Sequence, residues 1–205
     1  MSSGRIVGYN ESSVRLGSVE SLKTDALVVE GMEAGGHDGK ISLMTLLENV
    51  LPEIEIPVVA AGGIVNGRAV AAALLMGASG VQMGTRFLLS EECRLHPNAK
   101  QAIIDAADTD SVVTGFTTQG TVRGLRNPFS EKYLKLEYSG AAQSELTALA
   151  AGTNRKAVID GDTENGFVLA GMSLTHLTKV QPVQEIIEEL VSEAERRLTA
   201  APKLI

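Results

Sequence analysis

Three short apolar runs, each closed by glycine, mark the first half of the chain. Ala26-Leu27-Val28-Val29 ends in Glu30-Gly31. A β-branched run of that length predicts a strand buried in a parallel sheet. A glycine-rich loop follows, Gly31 to Gly39, and then Leu43, Leu46, Leu47, Val50 and Leu51 recur at helical spacing until Pro52. The unit repeats. Ile56 to Ala61 predicts a strand with Pro57 at its entry, where a missing N–H is tolerated. Gly62-Gly63 ends that strand, Asn66-Gly67 turns the chain, and Arg68 to Met76 predicts a helix stopped by Gly77. Gly80 to Met83 predicts a third strand, ended by Gly84-Thr85. Successive βα units of this kind imply a parallel sheet with right-handed crossovers.

The pattern changes after residue 95. His96-Pro97-Asn98 opens a helix expected to run through Ala106, and Ser111 to Val122 reads as short extended pieces around Gly115 and Gly120. Residues 139–154 read as helical, and Val168 to Leu177 as a further short helix. Behind Pro182, the residues Val183, Ile186, Ile187, Leu190, Val191, Ala194 and Leu198 form one apolar helical stripe. Its acidic face (Glu185, Glu188, Glu189, Glu193, Glu195) reads as solvated surface.

Composition narrows the class. The 205 residues are 44% hydrophobic and 21% charged, with few aromatics and no Trp. That aliphatic content excludes disorder, and collagen and coiled-coil periods are absent. A net charge of −7 argues against a nucleic-acid partner, since nothing more basic than Arg196-Arg197 interrupts it. A single cysteine, Cys93, excludes an internal disulfide or a CxxC metal site and fits a reducing compartment. The first residues lack the apolar core of a secretion signal, and the apolar run Ala69 to Met76 is too short to span a bilayer. A cytoplasmic location, without membrane attachment, is expected.

The strand ends carry the candidate chemistry. In parallel α/β architectures ligands bind at the carboxyl ends of strands, where glycine lets a backbone approach a phosphate and leaves amides free to cradle it. Gly62-Gly63 and Gly84-Thr85 look like the paired phosphate loops of a barrel's last two strands; tight βα turns are the other reading, and the residues alone leave both open. His37, after a strand end and among small residues, is either an acid, base or hydrogen-bond donor or a surface histidine without a role. His96 reads as a helix-start feature and His176 as structural or exposed. No pair of histidines has zinc-ligand spacing. The acids Glu91 and Glu92 beside Cys93 disfavour a thiolate nucleophile. No G-x-G-x-x-G or G-x-S-x-G occurs, and Gly39-Lys40 fails as a P-loop because Ala34 and Ile41 stand at required positions.

Taken together, three segments resemble a known family: Val29-Glu30-Gly31-Met32-Glu33-Ala34-Gly35-Gly36-His37, Pro57-Val58-Val59-Ala60-Ala61-Gly62-Gly63-Ile64, and Val81-Gln82-Met83-Gly84-Thr85-Arg86-Phe87. Their order and spacing resemble the FMN-dependent enoyl-acyl-carrier-protein reductase II and nitronate monooxygenase family. Tyr133 to Glu137, Arg155 to Asp162, Gly166 to Gly171 and the stretch from Pro182 to Leu198 resemble its reductase branch. The likeness covers about residues 18–198, and residues 1–17 fit the family poorly.

The resemblance implies the C-terminal part of a TIM (β/α)8 barrel: a partial FMN-binding barrel over residues 1–138 and a C-terminal helical extension over 139–205. It implies that Gly62, Gly63, Gly84 and Thr85 hold the FMN phosphate, that Glu30, Gly35 and Gly36 line the flavin, and that His37 is the catalytic residue. In the reductase branch, NADH or NADPH reduces FMN, which reduces a trans-2-enoyl thioester on acyl carrier protein or coenzyme A for fatty acid biosynthesis, with His37 orienting or protonating the substrate. In the monooxygenase branch the substrate is a small nitronate, oxidised with O2. The flavin carries the hard chemistry in either case.

Two departures stand out. After Ala170-Gly171 the family continues with Gln and a small Ala-Gly pair, whereas here Met172 and Leu174-Thr175 follow. Eight βα units need about 250 residues, so the Gly-Gly and Gly-Thr strands would be the seventh and eighth. About half of a barrel is then missing, and the expectation is a truncated chain. An open half-barrel would self-associate as a homo-oligomer, need a complementing N-terminal half, or survive as a non-catalytic remnant.

Overall fold

The computed structural model describes residues 6–9, 24–118 and 120–204. Its strands are β1 (Ile6–Tyr9), β2 (Ala26–Glu30), β3 (Gly36–His37), β4 (Val58–Ala61), β5 (Gly80–Gln82), β6 (Ser111–Thr114) and β7 (Val122–Leu125). Its helices are α1 (Leu43–Val50), α2 (Gly67–Met76), α3 (Thr85–Leu88), α4 (Pro97–Asp105), α5 (Pro128–Tyr138), α6 (Gln143–Ala150), α7 (Thr153–Arg155) and α8 (Val183–Ala200). The chain divides into two compact units. One comprises the chain up to Ala34 with Asp38–Met83 and the chain from Gln184; the other comprises Gly35–His37 and Gly84–Val183. The chain passes from the first unit to the second at Met83–Gly84, and all of α8 beyond Val183 belongs with the N-terminal strands.

The first unit is a parallel sheet in the order β1-β2-β4-β5. Leu27 and Val29 are fully buried while Ala26, Val28 and Glu30 alternate with them, as period-2 side-chain direction requires. Leu27, Val29, Val58 and Ala60 pack with Leu46, Leu47 and Val50 of α1 in one core. The second crossover helix has the ends its residues dictate. Asn66 caps α2, its Oδ1 accepting from the amide of Ala69 at 3.0 Å, and Gly77 stops it at φ 110°. That left-handed conformation is one a side chain would resist.

Helix α8 lies against the start of α2 in the same unit. A Cβ on Gly67 would sit 2.5 Å from the Leu190 carbonyl oxygen and 2.7 Å from the Ala194 nitrogen. The Gly67 amide donates to Glu193 Oε2 at 3.0 Å. Glu193 is thus a docking group, and Arg68 lies 3.6 Å from its other oxygen. The expected single stripe is split, because a helix of this width buries only one face. Ile186, Leu190 and Ala194 are buried, whereas Ile187 and Val191 are about half exposed beside the glutamates.

The second unit holds a three-stranded antiparallel sheet in the order β3-β7-β6. Its core gathers Val112, Phe129, Tyr133, Leu146 and Phe167, with the Phe129 and Phe167 rings 5.4 Å apart. Helix α5 is an element the hydrophobic pattern did not reveal, although Asn127-Pro128 announces it. Asn127 Oδ1 accepts from Ser130 N at 2.8 Å, and Ser130 Oγ accepts from Asn127 N at 2.9 Å. The helix expected over 139–154 is two pieces, α6 and α7, with α7 running on into a wider π turn at Lys156–Asp160.

The helix expected over Val168 to Leu177 does not form. That segment is irregular, and its amides are satisfied from elsewhere. Leu174 N and Thr175 N donate to Asp108 Oδ1 at 2.6 and 2.8 Å, and Gly171 N donates to Thr85 Oγ1 at 2.9 Å. Val168, Ala170, Leu174 and Leu177 are nevertheless buried, so their apolar character reflects packing of a non-helical strip. The expectations placed on residues 1–5 and 10–23 lie outside the described residues. Among the described residues no helix is long and apolar enough to cross a membrane.

Candidate functional site

The residues singled out from sequence fall in both units, Glu30, Gly62 and Gly63 in the first and Gly35, Gly36, His37, Gly84 and Thr85 in the second. In the first unit, parallel pairing brings the strand ends level. Glu30 is in register with Ala61, and Ala61 with Gln82. The chain beyond each strand therefore leaves from one edge of the sheet. Gly62 (φ 97°) and Gly63 (φ 70°) occupy left-handed conformations natural only to glycine. A Cβ on Gly62 would lie 2.9 Å from the Gly31 carbonyl oxygen, so the loops after β2 and β4 touch backbone to backbone.

Glu30 closes that edge with a carboxyl held above the usual carboxylate range, first by burial and then by the neighbouring Asp38 charge. It keeps its proton to higher pH than an exposed glutamate. Glu33, three residues on, has a different task. Its two oxygens accept from the Leu43 amide at 3.1 and 2.9 Å, tying the glycine-rich loop to the start of α1.

In the second unit Gly35 and Thr85 meet on one segment. A Cβ on Gly35 would stand 2.5 Å from the Ala170 carbonyl carbon and 2.6 Å from the Gly171 nitrogen. Thr85 Oγ1 accepts from that Gly171 amide. The hydroxyl oxygen of Thr85 is thus engaged with the chain itself, and its own N–H, in the first turn of α3, has no intrahelical acceptor. Gly36 (φ 87°) and Gly84 present the opposite environment, since a Cβ at either would meet no heavy atom within 4 Å. His37 is exposed on the edge strand β3, in register with Val122. Gly36 pairs with Arg123, which is buried and donates to Ser111 Oγ at 3.1 Å.

Three residues here went unnoticed in the sequence: Glu33, Asp38 and Arg123. Glu33 and Asp38 share a loop with His37, which is a signal that was available. Arg123 is a single charge in an otherwise apolar strand, a pattern that marks a buried polar contact. His96 is the N-cap of α4, its Nδ1 accepting from Asn98 N at 3.1 Å, and His176 is exposed on a loop. Among the described residues no group of three His, Cys, Asp or Glu is placed to hold a metal ion.

A family model described as nitronate monooxygenase matches residues 4–193. The chain belongs to the nitronate monooxygenase family. The match begins well before residue 18, so the start of the chain is part of the likeness, in keeping with the parallel pairing of β1 on β2. The chain is 33% identical over 191 residues to a probable nitronate monooxygenase of Staphylococcus haemolyticus, covering 88% of this chain and 53% of that protein. Among solved structures it is similar to FabK from Thermotoga maritima, with TM-score 0.93 and 36% identity over 99% of this chain and 64% of that one. It is also similar to a nitroalkane oxidase from Streptomyces ansochromogenes, with TM-score 0.82 and 30% identity over 97% of this chain and 59% of that one. The chain spans about half the length of the curated relatives it matches. These neighbours are TIM-barrel enzymes of a flavin-dependent oxidoreductase family, and this nitronate monooxygenase family chain has the α/β architecture of the C-terminal part of such a barrel, with a C-terminal helix.

Proposed function

We propose that this chain is an FMN-dependent oxidoreductase of the enoyl-acyl-carrier-protein reductase II type, reducing trans-2-enoyl thioesters with NADH or NADPH. The observation that carries the reading is the likeness to FabK, which exceeds that to the nitroalkane oxidase in both identity and TM-score. Nitronate oxidation with O2 is the second reading, favoured by the family model and the curated relatives.

The backbone fits a phosphate-bearing flavin. Gly62 and Gly63 leave their strand without side chains, and a Cβ on Gly84, just ahead of α3, would meet no heavy atom within 4 Å. Gly62, Gly63, Gly84 and Thr85 would hold the phosphate through backbone amides, while Glu30, Gly35 and Gly36 would line the ring system. A bound flavin would supply the two-electron chemistry between a nicotinamide reductant and the thioester double bond. His37 then has one of two tasks. It donates a hydrogen bond to the thioester carbonyl, or it delivers the proton that the α-carbon gains as the double bond is lost. Solvent returns that proton to the imidazole.

FMN titration of the purified, refolded chain, read by flavin fluorescence, tests the cofactor. Paired assays with crotonyl-coenzyme A plus NADH or NADPH, and with ethyl nitronate in air, separate the two reactions. His37→Ala is expected to leave FMN affinity within about twofold and to lower turnover by about 10²–10⁴. Equal loss of binding and turnover would make His37 structural, and absence of saturable FMN binding would overturn the reading.

A further inference from the structure

The glycine-rich loop after β2 is closed at its neck by one of its own side chains. Met32 N donates to the Ile41 carbonyl at 2.8 Å, and Leu43 N donates to both oxygens of Glu33, at 3.1 and 2.9 Å. The neck is shaped for that carboxylate. Helix α1 opens on Ser42, whose side chain caps none of the helix amides and instead donates to Thr45 Oγ1 at 3.1 Å. Glu33 caps the helix in its place, from outside, where the helix end favours a negative charge. Gly31 makes the room, because a Cβ there would run into Glu33 Oε2 and the Leu43 amide.

His37 lies inside the loop that this neck closes, four positions after Glu33 and six before Leu43. The strand that carries it, β3, is two residues long, with Gly36 paired to Arg123 and the exposed His37 to Val122. A pairing that short is marginal by itself. The freedom of a loop grows with the length of chain between its fixed points, so the neck bonds set how far His37 can wander. Of those bonds the one to Glu33 is charge-assisted, about twice as strong as the neutral main-chain bond beside it. It is also the one that a side-chain substitution removes.

We propose that Glu33 is a positioning residue for His37: by closing the neck of the loop on α1, it fixes where the imidazole is presented. Its consequence for turnover rests on the reading of His37 as the active-site histidine.

The test compares Glu33→Ala, Glu33→Gln, Glu33→Asp and Ser42→Ala in the full chain. Amide exchange at Leu43 and the His37 Cε1–H signal are followed by NMR, the signal being assigned among the three histidines with His37→Ala. Turnover and KM for crotonyl-coenzyme A are measured with FMN and NADH or NADPH. Glu33→Ala is expected to speed exchange at Leu43 about tenfold or more, from loss of a bond to a charged group. It should also move the His37 signal toward that of free histidine, and lower kcat about 10–100-fold with KM within about twofold, since misplacement of a reacting group falls on turnover. Glu33→Gln keeps an acceptor oxygen in place and should restore all three measures most of the way. Glu33→Asp, one methylene short, should move them in the direction of Glu33→Ala by less, and covers the case in which Glu33→Ala does not fold. Ser42→Ala removes no bond to a helix amide and should match wild type. Faster exchange at Leu43 with an unmoved His37 signal overturns the proposal. So does a Ser42→Ala variant that behaves like Glu33→Ala, since the effect would then belong to α1 and not to the loop. A wild-type chain without FMN binding or turnover overturns the functional reading alone, because exchange and the His37 signal need no cofactor.

Discussion

Gly35 and Gly36 are adjacent and chemically identical but stand in opposite surroundings, so alanine at each separates packing from the flavin access proposed for Gly36. At Gly35 a methyl group would stand 2.5 Å from the Ala170 carbonyl carbon and 2.8 Å from its Cα. Ordinary carbon contacts are about 3.5–4.0 Å, so the two backbones would have to part by about 1 Å. No rotatable side chain can give way. Overpacking costs about 1–3 kcal/mol, and a backbone clash belongs at the upper end. At Gly36 the added methyl meets open space, and the cost is only the left-handed conformation at φ 87°, about 1 kcal/mol for a residue with a Cβ. The difference is about 2 kcal/mol, or about 1 M in urea midpoint for an m-value near 2 kcal/mol/M. Urea unfolding followed by circular dichroism should therefore place Gly35→Ala about 1 M below Gly36→Ala. FMN titration should reverse the order of severity. Gly36→Ala puts a methyl into the space assigned to the flavin and should weaken FMN about tenfold in conditions where both variants are folded, while Gly35→Ala, whose methyl faces Ala170, should weaken it less. A Gly35→Ala midpoint at or above that of Gly36→Ala would refute the packing argument.

Glu30→Gln tests the raised carboxyl. A group whose folded pKa exceeds its unfolded value gives stability that is whole below the unfolded pKa and lost as pH rises through the folded one, so the wild-type midpoint should fall between acidic and neutral pH more than that of Glu30→Gln; parallel profiles would remove burial and Asp38 as the cause. Asp108 has the opposite sign. Its pKa is lowered chiefly by the Thr175 amide, with Leu174 N, the Thr175 hydroxyl and His176 assisting, so its contribution is present above the unfolded value and lost as pH falls through the depressed one. Asp108→Asn should flatten that acid limb and speed amide exchange at Leu174 and Thr175, at a cost held below about 1 kcal/mol by solvent exposure; unchanged exchange would show that the segment stands without Asp108.

The βα units were legible because their signals are local. Asn66 and Gly77 bracket α2 as cap and stop, and Leu46, Leu47 and Val50 carry the buried stripe of α1. Sequence adjacency also sufficed to place Glu30, Gly62 and Gly84 at strand ends. Legibility failed where partners are distant. The amides of Leu174 and Thr175 are satisfied by Asp108, 66 and 67 positions away, and nothing in Val168 to Leu177 announces it. The same residues are apolar because they are buried, and a short buried run does not reveal its backbone conformation. In α8 the error is of width. Ile187 and Val191 extend the apolar pattern beyond the face that Gly67 and Glu193 actually seat.

Those long-range bonds also bear on the departure at Met172. The position of its segment is set by main-chain groups: Gly171 N on Thr85, Leu174 N and Thr175 N on Asp108, and the Met172 carbonyl accepting from Leu174 N. None of these bonds uses the side chain at 172. Replacement of the family's amide by a thioether therefore leaves the path of Ala170 and Gly171 intact, and with it the seat of Gly35. What changes is the chemistry offered by that one side chain, from a hydrogen-bonding amide to an adaptable apolar surface. Such a change alters which substrates are tolerated more readily than whether the loop carrying His37 is built. If the proposed reductase reading holds, Met172→Gln should change the preference among thioesters and leave amide exchange at Gly171, Leu174 and Thr175 unchanged; faster exchange there would show that the side chain does help hold the segment.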